Sequence, residues 1–287
     1  MTDLILDRIE LEDVGANPRR LAEAIHQQLG EHSGPVPVHA IARALDIIEI
    51  REEPLSNFEA ALVTAAERSY GSILVNRTSN PQRRRFSVAH ELGHFLNPWH
   101  RTTVQCSRRD MRETDRRSSN LHRRQEAEAN SFAIELLAPR NRIRTHLSGA
   151  AGLGQILAMA GELDISREAA ARRYVSLHDE VLAVLFSGGG VLRYVDRSTD
   201  FPALCIEDGQ PVPDLPDGAA GSPLSAPDEV SPDDWLRTAP GIRLTAQNLI
   251  QRNGFAITLL RVLSEEEDDG IDDTFERFTR PGTRPKT

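Results

Sequence analysis

The sequence predicts an α+β fold in four consecutive parts. These are helices with a small sheet over residues 1–148, a short helical pair over 149–178, a small mixed α/β domain over 179–263, and an acidic-then-basic flexible tail over 264–287. Three observations predict it. Apolar residues recur at helical spacing in several stretches before residue 178. Short apolar runs bounded by turn residues interrupt them between residues 47 and 76. From Val181 onward the period shortens to that of strands.

Taken in order, Asn17-Pro18 opens a first helix, with Leu21, Ala24, Ile25 and Leu29 on one side. Val36-Pro37-Val38 leads into a second that carries Ile41, Ala44 and Leu45. Ile47–Arg51, Ala60–Thr64 and Ser72–Asn76 read as strands, the last two joined by a polar turn around Glu67 to Gly71. Asn80 caps and Pro81 starts a helix that runs unbroken through Leu96 and is closed by Pro98. A connection rich in arginine follows: Arg101, Arg108, Arg109, Arg112, Arg116, Arg117, Arg123 and Arg124, partly offset by Asp110, Glu113 and Asp115. It reads first as a solvated loop and second as a basic rim for an acidic substrate segment or a nucleic-acid signal. Arg124–Leu137 is a helix ended by Pro139. Gly154–Gly161 and Ser166–Leu177, joined by Glu162 to Ile165, resemble a helix-turn-helix. Arg167, Arg172 and Arg173 on its second helix invite a DNA-reading role, but a structural brace is the better expectation in an acidic chain. Val181–Phe186 and Val191–Val195 flank a glycine-rich hairpin, Pro211–Asp234 is a long loop, and Ile242–Leu244 and Phe255–Val262 are later strands.

The chemistry centres on His90-Glu91-Leu92-Gly93-His94. Histidines four apart on a helix project from one side, one turn above the other, so both imidazoles reach one metal ion. Glu91 leans to the flank, where it accepts a proton from a water instead of ligating. Gly93, a poor helix former, is expected to leave room for a substrate backbone. The later helix supplies a third ligand. On its wheel Glu126 falls among Ala129, Ala133, Leu136 and Leu137, and a carboxylate on an apolar face is costly unless paired or bound to metal. Asn130 lies one turn on, placed to hydrogen-bond a ligating side chain, while Glu128 and Glu135 read as a solvated face. Metal on His90, His94 and Glu126, with an open position, makes a catalytic site with Glu91 as base. Zinc is the default ion, and manganese or iron also suits this donor set. Cys106, in the arginine-rich connection, is a candidate fourth, inhibitory ligand, although such a cysteine is more often simply packed. Tyr70, His100, His122 and Tyr194 are alternatives for stabilising the oxyanion.

Arg85-Phe86-Ser87-Val88-Ala89 leading into the histidine motif, then Glu126 to Ala133 and Leu136-Leu137-Ala138-Pro139, resemble the ImmA/IrrE family of metallopeptidases. The resemblance implies a gluzincin-like peptidase that cleaves a transcriptional repressor and so releases stress or mobile-element genes. It assigns the metal to His90, His94 and Glu126 and the base to Glu91. Helices, a small sheet, then the metal helix is the zincin-like order, in which an edge strand holds the substrate backbone; Ser72–Asn76 or its neighbour is expected to do so. The C-terminal part is expected to be GAF-like and regulatory.

Composition bounds the remaining choices. The net charge of −9 argues against binding nucleic acid through its phosphates. Two cysteines are too few for a disulfide framework, and the N-terminus lacks the basic start and apolar stretch of a signal peptide, so a cytoplasmic protein without membrane attachment is expected. The expected partner is a protein substrate, a DNA-binding repressor. The alternatives are a metal-containing sensor or transcription regulator whose ion is structural, and a toxin-like peptidase.

Overall fold

The computed structural model describes residues 4–215 and 222–263, so the expected tail lies outside the described residues. The chain divides into two compact units, residues 1–179 and 180–287. Among the described residues the fold is α+β, with eight α-helices and two sheets.

The first unit opens with α1 (Arg8–Val14), α2 (Pro18–Leu29) and α3 (Val38–Ala44). The Asn17 side chain accepts from the backbone N–H groups of Arg19 and Arg20, which fixes the start of α2 one residue before its proline. Strands β1 (Ile47–Glu53), β2 (Ala60–Thr64) and β3 (Gly71–Asn76) lead to α4 (Pro81–Leu96). Next come β4 (Thr103–Cys106) and α5 (Leu121–Leu137), whose N-cap is Asn120. Pro139 precedes the single turn α6 (Arg140–Ile143), and α7 (Leu153–Leu163) and α8 (Arg167–Leu177) complete the unit.

The sheet order is β1-β3-β2-β4. β1 and β3 are parallel, and the other two pairings are antiparallel, with Ala60 opposite Cys106. This excludes Ser72–Asn76 itself as a free edge, while its neighbour β1, the other half of that expectation, is one. β3 is paired on both sides and offers no free edge; the edges are β1 and β4. β4 was read as part of a solvated loop. Its alternating burial, with Val104 and Cys106 inward, shows instead a short strand seated against the core of Ala60, Met111 and Phe86.

Helices α7 and α8 are joined through Asp164, which adopts a left-handed conformation. They brace both helices of the motif. The Asp164 carboxylate accepts from Gln82 Nε2 at 2.8 Å and pairs with Arg85 of α4 at 3.2 Å. Arg173 of α8 grips Glu135 of α5 with both terminal nitrogens and donates to the Ala138 carbonyl. Glu135 was expected on a solvated face and is an ion-pair partner.

The second unit is built on the antiparallel sheet β6-β5-β9-β8-β7, comprising β5 (Leu182–Gly188), β6 (Val191–Arg197), β7 (Asp228–Val230), β8 (Arg243–Ile250) and β9 (Phe255–Leu263). Gly189 and Gly190, both at positive φ, make the two-residue turn between β5 and β6 that matches the twist of a hairpin. Trp235, Phe201, Leu185, Leu244 and Leu260 form its core. A mixed α/β domain was expected, but the described residues of this unit contain no α-helix. Its helical turns are the short Pro232–Asp234 and Arg252–Gly254. Between β6 and β7, Leu204 makes an isolated bridge with Leu236.

Candidate metal centre

Helix α4 is buried from Ser87 through Phe95, so both motif histidines and Glu91 are withdrawn from solvent. Its register is set at one end by the Asn80 side chain, which accepts from Arg83 N–H at 2.8 Å. At the other end Arg68 takes over the free carbonyls. Its guanidinium donates to His94 O at 2.7 Å, to Phe95 O at 3.0 Å and to His100 O. A cation at a helix C-terminus also complements the dipole there.

Gly93 has a different role from the one its position suggested. A Cβ there would lie 2.9 Å from Phe132 Cδ1 of α5. Glycine therefore lets α4 and α5 pack closely, which brings Glu126 up to the histidines; it does not clear space for a substrate.

His90 Nε2 lies 3.1 Å from His94 Nε2 and 3.2 Å from Glu126 Oε2, and His94 Nε2 is 3.5 Å from Glu126 Oε1. The hydrogen bonds behind the rings assign what these atoms present. His90 Nδ1 donates to the Asn130 carbonyl oxygen at 2.8 Å, which leaves Nε2 with a lone pair. Asn130 is itself fixed by donating to Asp110 O and Glu113 O. Behind the other ring, His94 Nδ1 meets His100 Nδ1 at 2.9 Å, and His100 Nε2 meets Glu128 Oε2 at 3.0 Å. Asn97 Nδ2 also donates to that carboxylate oxygen. Asn97 Nδ2 also lies 2.9 Å from His100 Nε2, and His94 Nδ1 is engaged by His100, which leaves His94 Nε2 as the ring nitrogen facing His90 and Glu126. A lone pair on His90, the open face of His94 and a carboxylate facing one another suit a cation between them.

The electrostatics agree. Burial opposes charge on Glu126, yet His90 and His94 hold it well below the usual carboxylate range. Burial alone would lower His90, but Glu126 and Glu91 hold it above its ordinary value. Burial pushes His94 down to about 3. A proton can satisfy only one donor pair, whereas a divalent ion satisfies all three donors. Glu91 differs from Glu126. Both of its oxygens are buried without a hydrogen-bond partner, and burial raises it to about 7, opposed by His90.

Cys106 joins the group. Its Sγ is 3.8 Å from His94 Nε2 and 3.9 Å from Glu126 Oε1. Donor atoms of His90, His94, Cys106 and Glu126 all lie within 4.8 Å of one another, and all four residues are buried. In the absence of an ion, burial raises the thiol's pKa, as do Glu91 and Glu126.

The residues weighed as oxyanion stabilisers fall apart. His100 is committed behind His94, and Tyr70 is half exposed in the turn before β3. Tyr194 stacks on Phe186 within the second unit. His122, one turn before Glu126, remains at the rim, with Nδ1 3.5 Å from Glu126 Oε1 and Nε2 3.2 Å from Asp110. Glu128, expected to be solvated, completes the chain behind His94. The sequence hides this link, because His100 and Glu128 belong to no common spacing.

Residues 46–174 match the family model described as the IrrE N-terminal-like domain, peptidase M78. No curated protein matches the chain. A solved Mycobacterium tuberculosis transcriptional regulator is similar in fold, at 15% identity and a TM-score of 0.55, over 88% of this chain and 80% of that one. Among the described residues, no helix is long and apolar enough to cross a membrane.

Proposed function

We propose, for a chain whose residues 46–174 form an IrrE N-terminal-like domain of the peptidase M78 family, that it is a metal-dependent endopeptidase. The observation that carries this reading is Glu91, a buried carboxylate without a hydrogen-bond partner beside three converging donors. Nature rarely leaves such a group unsatisfied outside a functional site.

His90 Nε2, His94 Nε2 and the Glu126 carboxylate would hold the ion, zinc by the donor set, with manganese or iron as substitutes. A bound divalent ion supplies Lewis acidity toward the scissile carbonyl and makes water more acidic. Glu91 takes the proton from the attacking water and later delivers it to the leaving amine nitrogen. His122, at the rim, donates to the oxyanion. The free edge of β4 is where a substrate segment adds as a strand, with Cys106 marking its inner face. The family resemblance points to a helix-turn-helix repressor as the substrate, in a stress or mobile-element response. Helices α7 and α8 serve as a brace: Arg173, one of the three arginines that invited a DNA-reading role, is buried on Glu135.

One observation favours a second reading, a sensor or regulator with a structural ion. Cys106 offers a fourth donor, and closed shells are the structural kind. Incubating the metal-loaded chain with a purified helix-turn-helix repressor from the same source, with fragments read by mass spectrometry, tests the choice. Discrete metal-dependent fragments support the peptidase, and an intact repressor overturns it.

A further inference from the structure

We infer that Cys106 supplies a fourth protein ligand to the ion held by His90, His94 and Glu126, so that the resting site is closed by a thiolate carried on the edge strand β4. The inference takes the three-donor site from the reading above and adds to it.

The distances carry it. Tetrahedral donors at zinc's usual bond lengths sit about 3.3–3.6 Å apart, those involving sulfur being at the long end. The observed separations are 3.1, 3.2 and 3.5 Å among the nitrogens and oxygens, and 3.8 and 3.9 Å from sulfur to His94 and Glu126. The two sulfur contacts are thus a few tenths of an ångström longer than a shared shell requires, and the four donor groups all lie within 4.8 Å of one another. Cys106 packs with Ala60, Val104 and Met111 on one side, but its sulfur is not enclosed by carbon alone. It faces an imidazole nitrogen and a carboxylate oxygen, with the unpartnered Glu126 Oε2 and Glu91 carboxylate beside it.

The placement of the strand makes the ligand displaceable. β4 is four residues long, sits at the end of the sheet and is paired only to β2. His90, His94 and Glu126 stand on helices locked by Arg68, Gln82, Arg85 and Arg173. The fourth donor is thus on the least constrained of the contributing elements. Closing breaks the S–H bond, forms one sulfur–metal bond and releases a proton to solvent. Opening reverses this, the sulfur regaining a proton as water takes its place. A substrate strand adding to β4 would act on the element that bears the latch.

X-ray absorption of the zinc-loaded full chain tests this directly. The expected result is one sulfur at about 2.3 Å alongside nitrogen and oxygen ligands, lost in Cys106→Ser. Only nitrogen and oxygen neighbours in the wild type, or a chain that takes up no zinc, overturns it. Cobalt loading is a second check: the wild type shows a near-ultraviolet thiolate charge-transfer band that Cys106→Ser lacks. Neither measurement depends on cleavage. A sulfur ligand in a protein that never cleaves would sink the peptidase reading and leave this one standing. If both hold, Cys106→Ser cleaves faster than the wild type; an equal or slower rate would overturn the closed resting state.

Discussion

The two units treat buried polarity in opposite ways. In the second unit the buried polar side chains among the described residues are Ser187, Ser225, Asn248 and Thr258, none of them ionisable. Three of them are linked locally: Thr258 Oγ1 donates to Asn248 Oδ1, and Asn248 N–H to Ser225 Oγ. In the first unit Glu59, Arg68, His90, Glu91, His94, His100, Glu126 and Arg173 are all buried. Most of these are compensated too. Glu59 accepts from Ser79 and Arg108, and Arg68 and Arg173 end on carbonyls and a carboxylate. Among these buried ionisable groups of the described residues, compensation stops around His90, at Glu91 and at one oxygen of Glu126. Burying a charge costs several kcal/mol unless it is paired, so an exception inside an otherwise well-paired core marks the site.

The comparison breaks most visibly at the ligands. Glu126→Ala removes the carboxylate donor, and the expected outcome is metal affinity weakened by at least about 10–100-fold together with loss of cleavage, checked by metal titration and fragment assay. Next, Arg173→Ala leaves Glu135 uncompensated and should cost about 3–5 kcal/mol in urea unfolding, destabilising α5 with the site it carries. A third test uses pH on the metal-free chain. Glu91 is raised from 4.5 to about 7 in the fold, so the folded state keeps a proton that the unfolded chain gives up. That contribution is full below pH 4.5 and is lost as pH rises through about 7. It amounts to up to about 3 kcal/mol, and Glu91→Gln should abolish that part of the slope in unfolding titrations. The smallest effect is expected in the other unit. Thr258→Val should cost about 1 kcal/mol and leave metal content unchanged, as a hydrogen bond in a neutral core would.

Much of the site was legible in the sequence because its information is local. Helix α4 begins at the proline and ends where the next proline forbids it, and the wheel of α5 set Glu126 and Asn130 on the side that meets α4. What was illegible depends on pairing across distance. Four residues, Thr103 to Cys106, give too short an alternation to stand out among arginines, so β4 looked like loop. The central place of β3 depends on strand order, which no local period encodes. Glu128 and Glu135 looked solvated because their partners, His100 and Arg173, are 28 and 38 residues away. Gly93 was misread for the same reason, since Phe132 comes from another helix. The mixed C-terminal domain was inferred from short strands separated by long turns, a pattern that an antiparallel sheet with bridging loops also satisfies.

The central claim is that one buried carboxylate does chemistry while its neighbours hold the ion. Glu91→Gln keeps shape and volume and removes the proton acceptor. Measured side by side with the wild type for metal content and for cleavage of the repressor, it should carry the same complement of metal and cleave about 10²–10⁴-fold more slowly. A variant that retains its metal and still cleaves at the wild-type rate would contradict the account.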